Sequence, residues 1–153
     1  MSWFVVRTKP RQEFIAKANL ENQGFEFYLP ELVRDTGSVE PLFPGYIFIK
    51  NQAGPTPFDK IRFTRGILNF VRFGEKLALA RQGLIDSLIQ RENEFKNVSS
   101  LEPNQKVYIK GGPFKDLQAI FLEKSGKDRV VLLLKILNGE QQVIMDKKNI
   151  ETA

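Results

Sequence analysis

The chain has no cysteine and no histidine among its 153 residues. Without thiolates, neither a disulfide framework nor cysteine ligation of zinc is possible, and without imidazole the commonest metal ligand and general base are missing too. Long hydrophobic runs are also lacking. None approaches the ~18 residues needed to span a bilayer, and the opening Met-Ser-Trp-Phe-Val-Val-Arg has no apolar signal core behind a basic region. A cytoplasmic protein is the expectation. Excess charge is modest: the net charge is +5, and 14 of 23 basic and 11 of 18 acidic residues lie up to Val98, so neither half is a polycation. Such a balance permits contact with nucleic acid without demanding it. What is present is 42% hydrophobic residues, enough for a packed core at this length. Carboxylates are scattered, no Gly-rich phosphate loop occurs, and no Ser or Lys has a recognisable base arrangement. These absences predict a binding protein, not an enzyme, with no cofactor and no metal; a monomer is the expectation.

Residues 3–8 (Trp-Phe-Val-Val-Arg-Thr) are aromatic and β-branched and predict a strand that Lys9-Pro10 ends. A helix should follow from Gln12, with Phe14, Ile15, Ala18 and Leu20 on its apolar face and Gly24 as its stop. Residues 25–29 read as a second strand closed by Pro30, and Arg34-Asp35-Thr36-Gly37-Ser38 as a mobile loop tip. Residues 46–50 alternate as a strand, 51–57 form a Gly/Pro loop, and 58–63 are undecided between helix and strand. A short strand at 70–73 precedes a helix over 81–95 through Leu84, Ile85, Leu88 and Ile89. This order predicts an α+β domain over 1–95. The polar stretch 96–104, with Ser-Ser and a proline, reads as a linker to a second module over 105–153. That module opens with a strand at 106–110 and the turn Gly111-Gly112-Pro113.

The most informative text is Glu-Pro-Leu-Phe-Pro-Gly-Tyr-Ile-Phe-Ile at 40–49, followed by Thr-Arg-Gly at 64–66, Phe-Val-Arg-Phe-Gly at 70–74 and Gln-Ala-Ile-Phe at 118–121. With Trp3 on the first strand, this resembles the NusG family of transcription elongation factors, and within it the specialised RfaH-type branch. The resemblance runs over nearly the whole chain in the right order. It implies an N-terminal NGN domain, an α/β sandwich with an antiparallel sheet, and a C-terminal KOW domain, ordinarily an SH3-like β-barrel. It also implies that an apolar depression grips the clamp helices of RNA polymerase, with Phe43, Pro44, Tyr46 and Phe48 on the matching positions. Read from the residues alone, aromatics held beside prolines give large rigid contact area, but Tyr46 and Phe48 fit equally well as core. Lys9, Gln12, Asn19, Arg62, Thr64 and Arg65 match the surface that contacts the non-template DNA strand, a set able to hold phosphates and base edges. Pro10 and Ile15 depart from the basic residues of that branch, and Pro57-Phe58-Asp59 replaces its His-Thr-Thr segment, a second polymerase contact.

Residues 130–137 (Val-Val-Leu-Leu-Leu-Lys-Ile-Leu) carry two patterns. As a strand they are apolar on both faces, which is too much for a small barrel. As a helix they place Val130, Leu133, Leu134 and Leu137 at i, i+3, i+4 and i+7, and Phe114, Leu117 and Phe121 repeat the spacing upstream, with Ser125-Gly126-Lys127-Asp128 as the turn between. A hairpin this short needs an apolar surface to lie on, and the patch around Phe43 is the candidate. The resemblance implies such an autoinhibitory hairpin, converting to the barrel on release, with Glu40 paired to Arg129 and with Phe121, Leu133 and Leu137 at the interdomain contact. One exposed ion pair of that kind adds only ~0–1 kcal/mol. The hairpin is the favoured reading; the other is a permanent barrel whose second apolar face binds a partner. By the same resemblance the released barrel binds ribosomal protein S10. Two other functions stay open: a general NusG-like factor without autoinhibition, and a KOW-containing RNA-binding or ribosome-associated protein, motivated by the tail and the pI of 9.5.

Overall fold

The computed structural model describes residues 2–34, 36–52, 54–98 and 117–151. The strand predicted at the N-terminus is β1 (Ser2–Thr8), the centre of a five-stranded sheet. On one side it pairs antiparallel with β5 (Tyr46–Lys50), beyond which lies β2 (Phe27–Tyr28). Its other edge is shared end to end, β6 (Ile67–Phe70) pairing with the Val6–Thr8 end and β9 (Leu79–Arg81) with the Ser2–Phe4 end. Two small hairpins flank the sheet: β3 (Glu31–Val33) with β4 (Val39–Pro41), and β7 (Arg72–Phe73) with β8 (Lys76–Leu77). The polar stretch after Val33 is the turn of the first, closed by Gly37 N–H donating to Arg34 O at 2.8 Å. The fold is mixed α/β with an antiparallel sheet, as expected. Strands β3, β4, β8 and β9 escaped the sequence because at two or three residues they are too short to show alternation, and the strand expected at 70–73 is instead the end of β6 followed by the separate β7.

Register explains why β1 is apolar on consecutive positions. Trp3 and Val5 face one way with Phe48, while Phe4 and Val6 face the other with Ile47 and Ile49, and both faces are buried. One face lies under α1 (Glu13–Asn22) and α2 (Phe58–Arg62), which contribute Ala16, Leu20 and Ile61. The helix predicted from Gln12 therefore exists, but its inward stripe is Glu13, Ala16 and Leu20, and the expected apolar face is wrong: Phe14, Ile15 and Ala18 point to solvent. The cause is at position 66. A Cβ added to Gly66 would lie 2.7 Å from the Ala16 backbone nitrogen, so the 64–66 turn presses on Ala16 and fixes the rotation of α1.

The opposite face lies under α3 (Gln82–Val98), through Leu84, Ile85 and Leu88, together with two further helices, α4 (Leu117–Leu122) and α5 (Gly126–Glu151). Ile89, expected on the buried stripe of α3, is instead exposed, just past the buried arc of the helix. Trp3 Nε1 donates to Gln82 Oε1 at 2.7 Å, tying β1 to the first turn of α3. That helix runs to Val98, three residues into the stretch read as linker. The rest of the linker, the strand at 106–110, the turn at 111–113 and Phe114 lie outside the described residues.

Candidate functional site

Four residues were singled out at the start of β5, and the structure separates them. Phe43 and Phe48 are fully buried, their rings meeting edge to face at 6.3 Å between centroids. Tyr46 is half-buried with the Arg7 guanidinium 5.7 Å above its ring, and Pro44 is exposed. Tyr28 stacks on the far side of Phe48 and donates its hydroxyl to Glu92, which also accepts the Glu31 N–H at 3.2 Å. Burial pushes the Tyr28 phenol far above its ordinary range, and the Glu92 carboxylate adds to the effect.

What buries Phe43 is the C-terminal pair of helices. Leu117, Ile120 and Phe121 of α4 and Leu133 and Leu137 of α5 belong to the same continuous apolar cluster as Leu42, Phe43 and Phe48. Of the residues expected on the inner stripe, Leu117, Phe121, Leu133 and Leu137 are buried and Val130 and Leu134 partly buried. Helix α5 begins at Gly126, inside the stretch expected as the turn, so the connection is shortened to residues 123–125. A side chain at 126 would not fit: an added Cβ would lie 2.6 Å from Pro44 Cγ. This contact was invisible in the sequence, where the glycine read only as a turn former.

Arg129 corrects a second expectation. Its pair with Glu40, at 3.0 Å, is not an exposed salt bridge, because the Arg129 side chain is 1% exposed. The guanidinium also donates from Nε to Leu42 O at 2.7 Å and from Nη1 to Glu123 O and Lys124 O at 2.8 and 3.1 Å. It thus fills the open carbonyls after α4 while gripping the chain beside Phe43. Glu40 keeps a second partner, since Arg34 Nη2 reaches both its oxygens at 2.9 and 3.0 Å. From the other side of the sheet, Glu13 of α1 accepts the Gly45 N–H at 3.0 Å. The loop holding Phe43 and Pro44 is therefore clamped from both sides by buried charged groups, Arg129 at Leu42 and Glu13 at Gly45. Sequence reading missed Glu13, because an acid in a first helical turn looks like ordinary dipole stabilisation.

The second set of residues gathers at the start of α1 and the turn after α2. Lys9 N–H donates to Gly66 O at 2.8 Å and Gln12 N–H to Lys9 O at 3.0 Å, which brings Lys9, Gln12 and Arg65 to one edge. Asn19 lies on the same side of α1, though its side-chain amide donates to Ile15 O. Arg62 and Arg65 are exposed. Thr64 is not a surface residue: it is buried, its hydroxyl donating to Lys60 O and accepting from Gln23 Nε2, both at 2.8 Å. It holds the turn from below. Arg11, which drew no attention in the sequence, stands exposed between Lys9 and Gln12 on a left-handed backbone (φ 62°), a conformation that favours glycine. Phe58 opens α2 and packs edge to face on Phe4 and Phe70, at 5.7 and 5.4 Å.

Residues 1–89, which span β1 to the middle of α3, match the family model described as transcription termination factor NusG. The chain belongs to the NusG family. A curated relative, the transcription termination/antitermination protein NusG of Thermus thermophilus, is 26% identical over 175 aligned positions covering 95% of both chains. A solved structure of domain interaction in Thermotoga maritima NusG aligns with a TM-score of 0.47 and 19% identity over 76% of each chain. Among the described residues no helix is long and apolar enough to cross a membrane, and no cluster of acidic residues could hold a metal ion.

Proposed function

We propose that this member of the NusG family is a non-enzymatic elongation and antitermination factor of the RfaH type, autoinhibited until it meets a paused RNA polymerase. The observation that carries the reading is the seating of α4 and α5 over Phe43 and Phe48, closed by the buried Arg129. In this reading residues 1–95 are the NGN domain, and the Phe43, Pro44, Tyr46 and Phe48 region meets the polymerase clamp helices once uncovered. Lys9, Gln12, Asn19, Arg62 and Arg65 contact the non-template DNA strand, with Thr64 fixing the turn that presents the arginines. After release, residues 105–153 adopt the KOW barrel and recruit the ribosome through protein S10. The protein works in the cytoplasm as a monomer, without cofactor or metal.

The direct test is retention of RNA polymerase on immobilised residues 1–97 and on the immobilised full chain. The fragment is expected to retain polymerase and the full chain much less. No retention by either sinks the proposal. Equal retention removes the autoinhibition and favours the second reading, a general NusG-like factor, which the full-length match to the Thermus thermophilus protein supports. For the conversion, residues 101–153 alone should give a β-type circular dichroism spectrum, and a helical spectrum would end that part of the proposal. Binding dominated by Lys and Arg of the tail, with steep salt dependence, would instead favour an RNA-binding KOW protein.

A further inference from the structure

The most exposed large apolar side chain among the described residues is Phe63, at 74%. Its backbone is firmly held. Phe63 N–H donates to Asp59 O at 2.9 Å, and Thr64 N–H to Ile61 O at 3.1 Å. Beneath it the Thr64 hydroxyl is locked between Lys60 and Gln23, and Gly66 is pressed against Ala16. A ring on a loose loop could fold back onto the protein; a ring on this turn cannot. Arg62 lies against it, its guanidinium carbon 4.8 Å from the ring centroid, and 74% exposure leaves the rest of the ring to solvent. The surroundings are cationic, with Arg62 ending α2, Arg65 on the turn and Lys9 hydrogen-bonded to Gly66, while Lys60 of α2 lies over the Phe25 ring. The neighbouring acid, Asp59, lies 3.9 Å from Arg62.

An apolar protein surface docking on Phe63 would desolvate these cations without pairing them. A single-stranded nucleic acid meets both demands, because it presents a π-face and a phosphate at every step. We propose that Phe63 is a stacking platform for an unpaired base of single-stranded DNA, with Arg62 bracing the ring and Arg65 and Lys9 holding flanking phosphates. The proposal rests on the DNA-contacting part of the function above and adds to it a residue that engages any base by its face. It therefore assigns this turn sequence-tolerant binding.

The test uses the full chain bound to a reconstituted elongation complex whose exposed non-template strand carries 2-aminopurine, alongside a free single-stranded oligonucleotide with the same label. Wild type is expected to quench the fluorophore by stacking. F63A should abolish the quench and weaken oligonucleotide binding about fivefold or more, while F63W retains both. If F63A changes nothing but R65A weakens binding, the stacking proposal is overturned and the phosphate contacts stand. If neither variant changes anything, or wild type binds neither substrate, the DNA-contacting reading falls with it. Tighter binding to an RNA oligonucleotide of the same sequence overturns the assignment to DNA.

Discussion

The two faces of the central sheet are covered by different means. On one, α1 and α2 follow closely on their strands and press Ala16, Leu20 and Ile61 onto Phe4, Val6, Ile47 and Ile49. The charged residue buried at that cover, Glu13, makes a bond to one backbone amide of the neighbouring loop. On the other face, α4 and α5 come from far along the chain and bring a buried arginine with four hydrogen bonds to two stretches of chain, 40–42 and 123–124. Guanidinium and carboxylate groups lose strong hydration when buried, so such a network adds less net stability than apolar packing of similar volume, and it specifies one geometry. Water can replace its bonds once the helices lift. The α1 and α2 cover rests on apolar packing, whereas the α4 and α5 cover carries a polar interaction that has a solvated alternative.

Four substitutions break or sharpen this contrast. L20A on the α1 face should lower the stability of the whole domain by about 4 kcal/mol, as expected for a fully buried leucine. Urea denaturation followed by Trp3 fluorescence measures it, and a loss under ~1 kcal/mol would contradict the packing described. R129A should weaken the other cover by about 3 kcal/mol, because Leu42 O, Glu123 O and Lys124 O lose their donor. Hydrogen exchange should then show amides of α4 and α5 opening while those of β1 and β5 stay protected; equal loss in both would mean that the two faces are not separable. G126A, which sets a methyl group against Pro44, should cost that cover about 2 kcal/mol by overpacking, and the same exchange experiment with P44A added should restore protection.

The smallest effect is at Tyr28. Y28F removes its bond to Glu92 and should cost about 1.5 kcal/mol at neutral pH. Because the folded-state pKa of Tyr28 is raised, its contribution is fully present below the ordinary phenol value near 10 and is lost as pH rises beyond it toward the folded value. The gap between wild type and Y28F should therefore close above pH ~10. A gap that widened there would reverse the sign of the shift.

Where the pattern was strong, the sequence was sufficient. β1 was legible as an aromatic and β-branched run, β5 by its alternation and α3 by its helical period. The long element α5 was legible only as one of two patterns, since Val130 to Leu137 satisfy both periods; contact with Leu42 and Phe43 decides between them in the structure. The inward face of α1 was misread for the opposite reason. Phe14 and Ile15 carry the hydrophobicity, yet Ala16 is the residue small enough to lie against the Gly66 turn. Among site residues, Phe43, Phe48 and Arg129 were all named by likeness to a family, and the residues alone left Phe48 open as core. Thr64 was named for the surface but is buried, because a hydroxyl in a motif does not reveal whether it serves a ligand or the turn.

Glu40 is held by Arg34 of its own hairpin as well as by Arg129. Arg34 and Glu40 sit on either side of one tight turn, so their pair survives whatever α5 does. If α5 departs, the carboxylate left behind is still neutralised, and Arg129 alone must find new partners. In the proposed switch, the hairpin is the standing half of a latch and α5 the travelling half. A C-terminal module that refolds to helices would thus meet an acceptor already aimed and charge-matched.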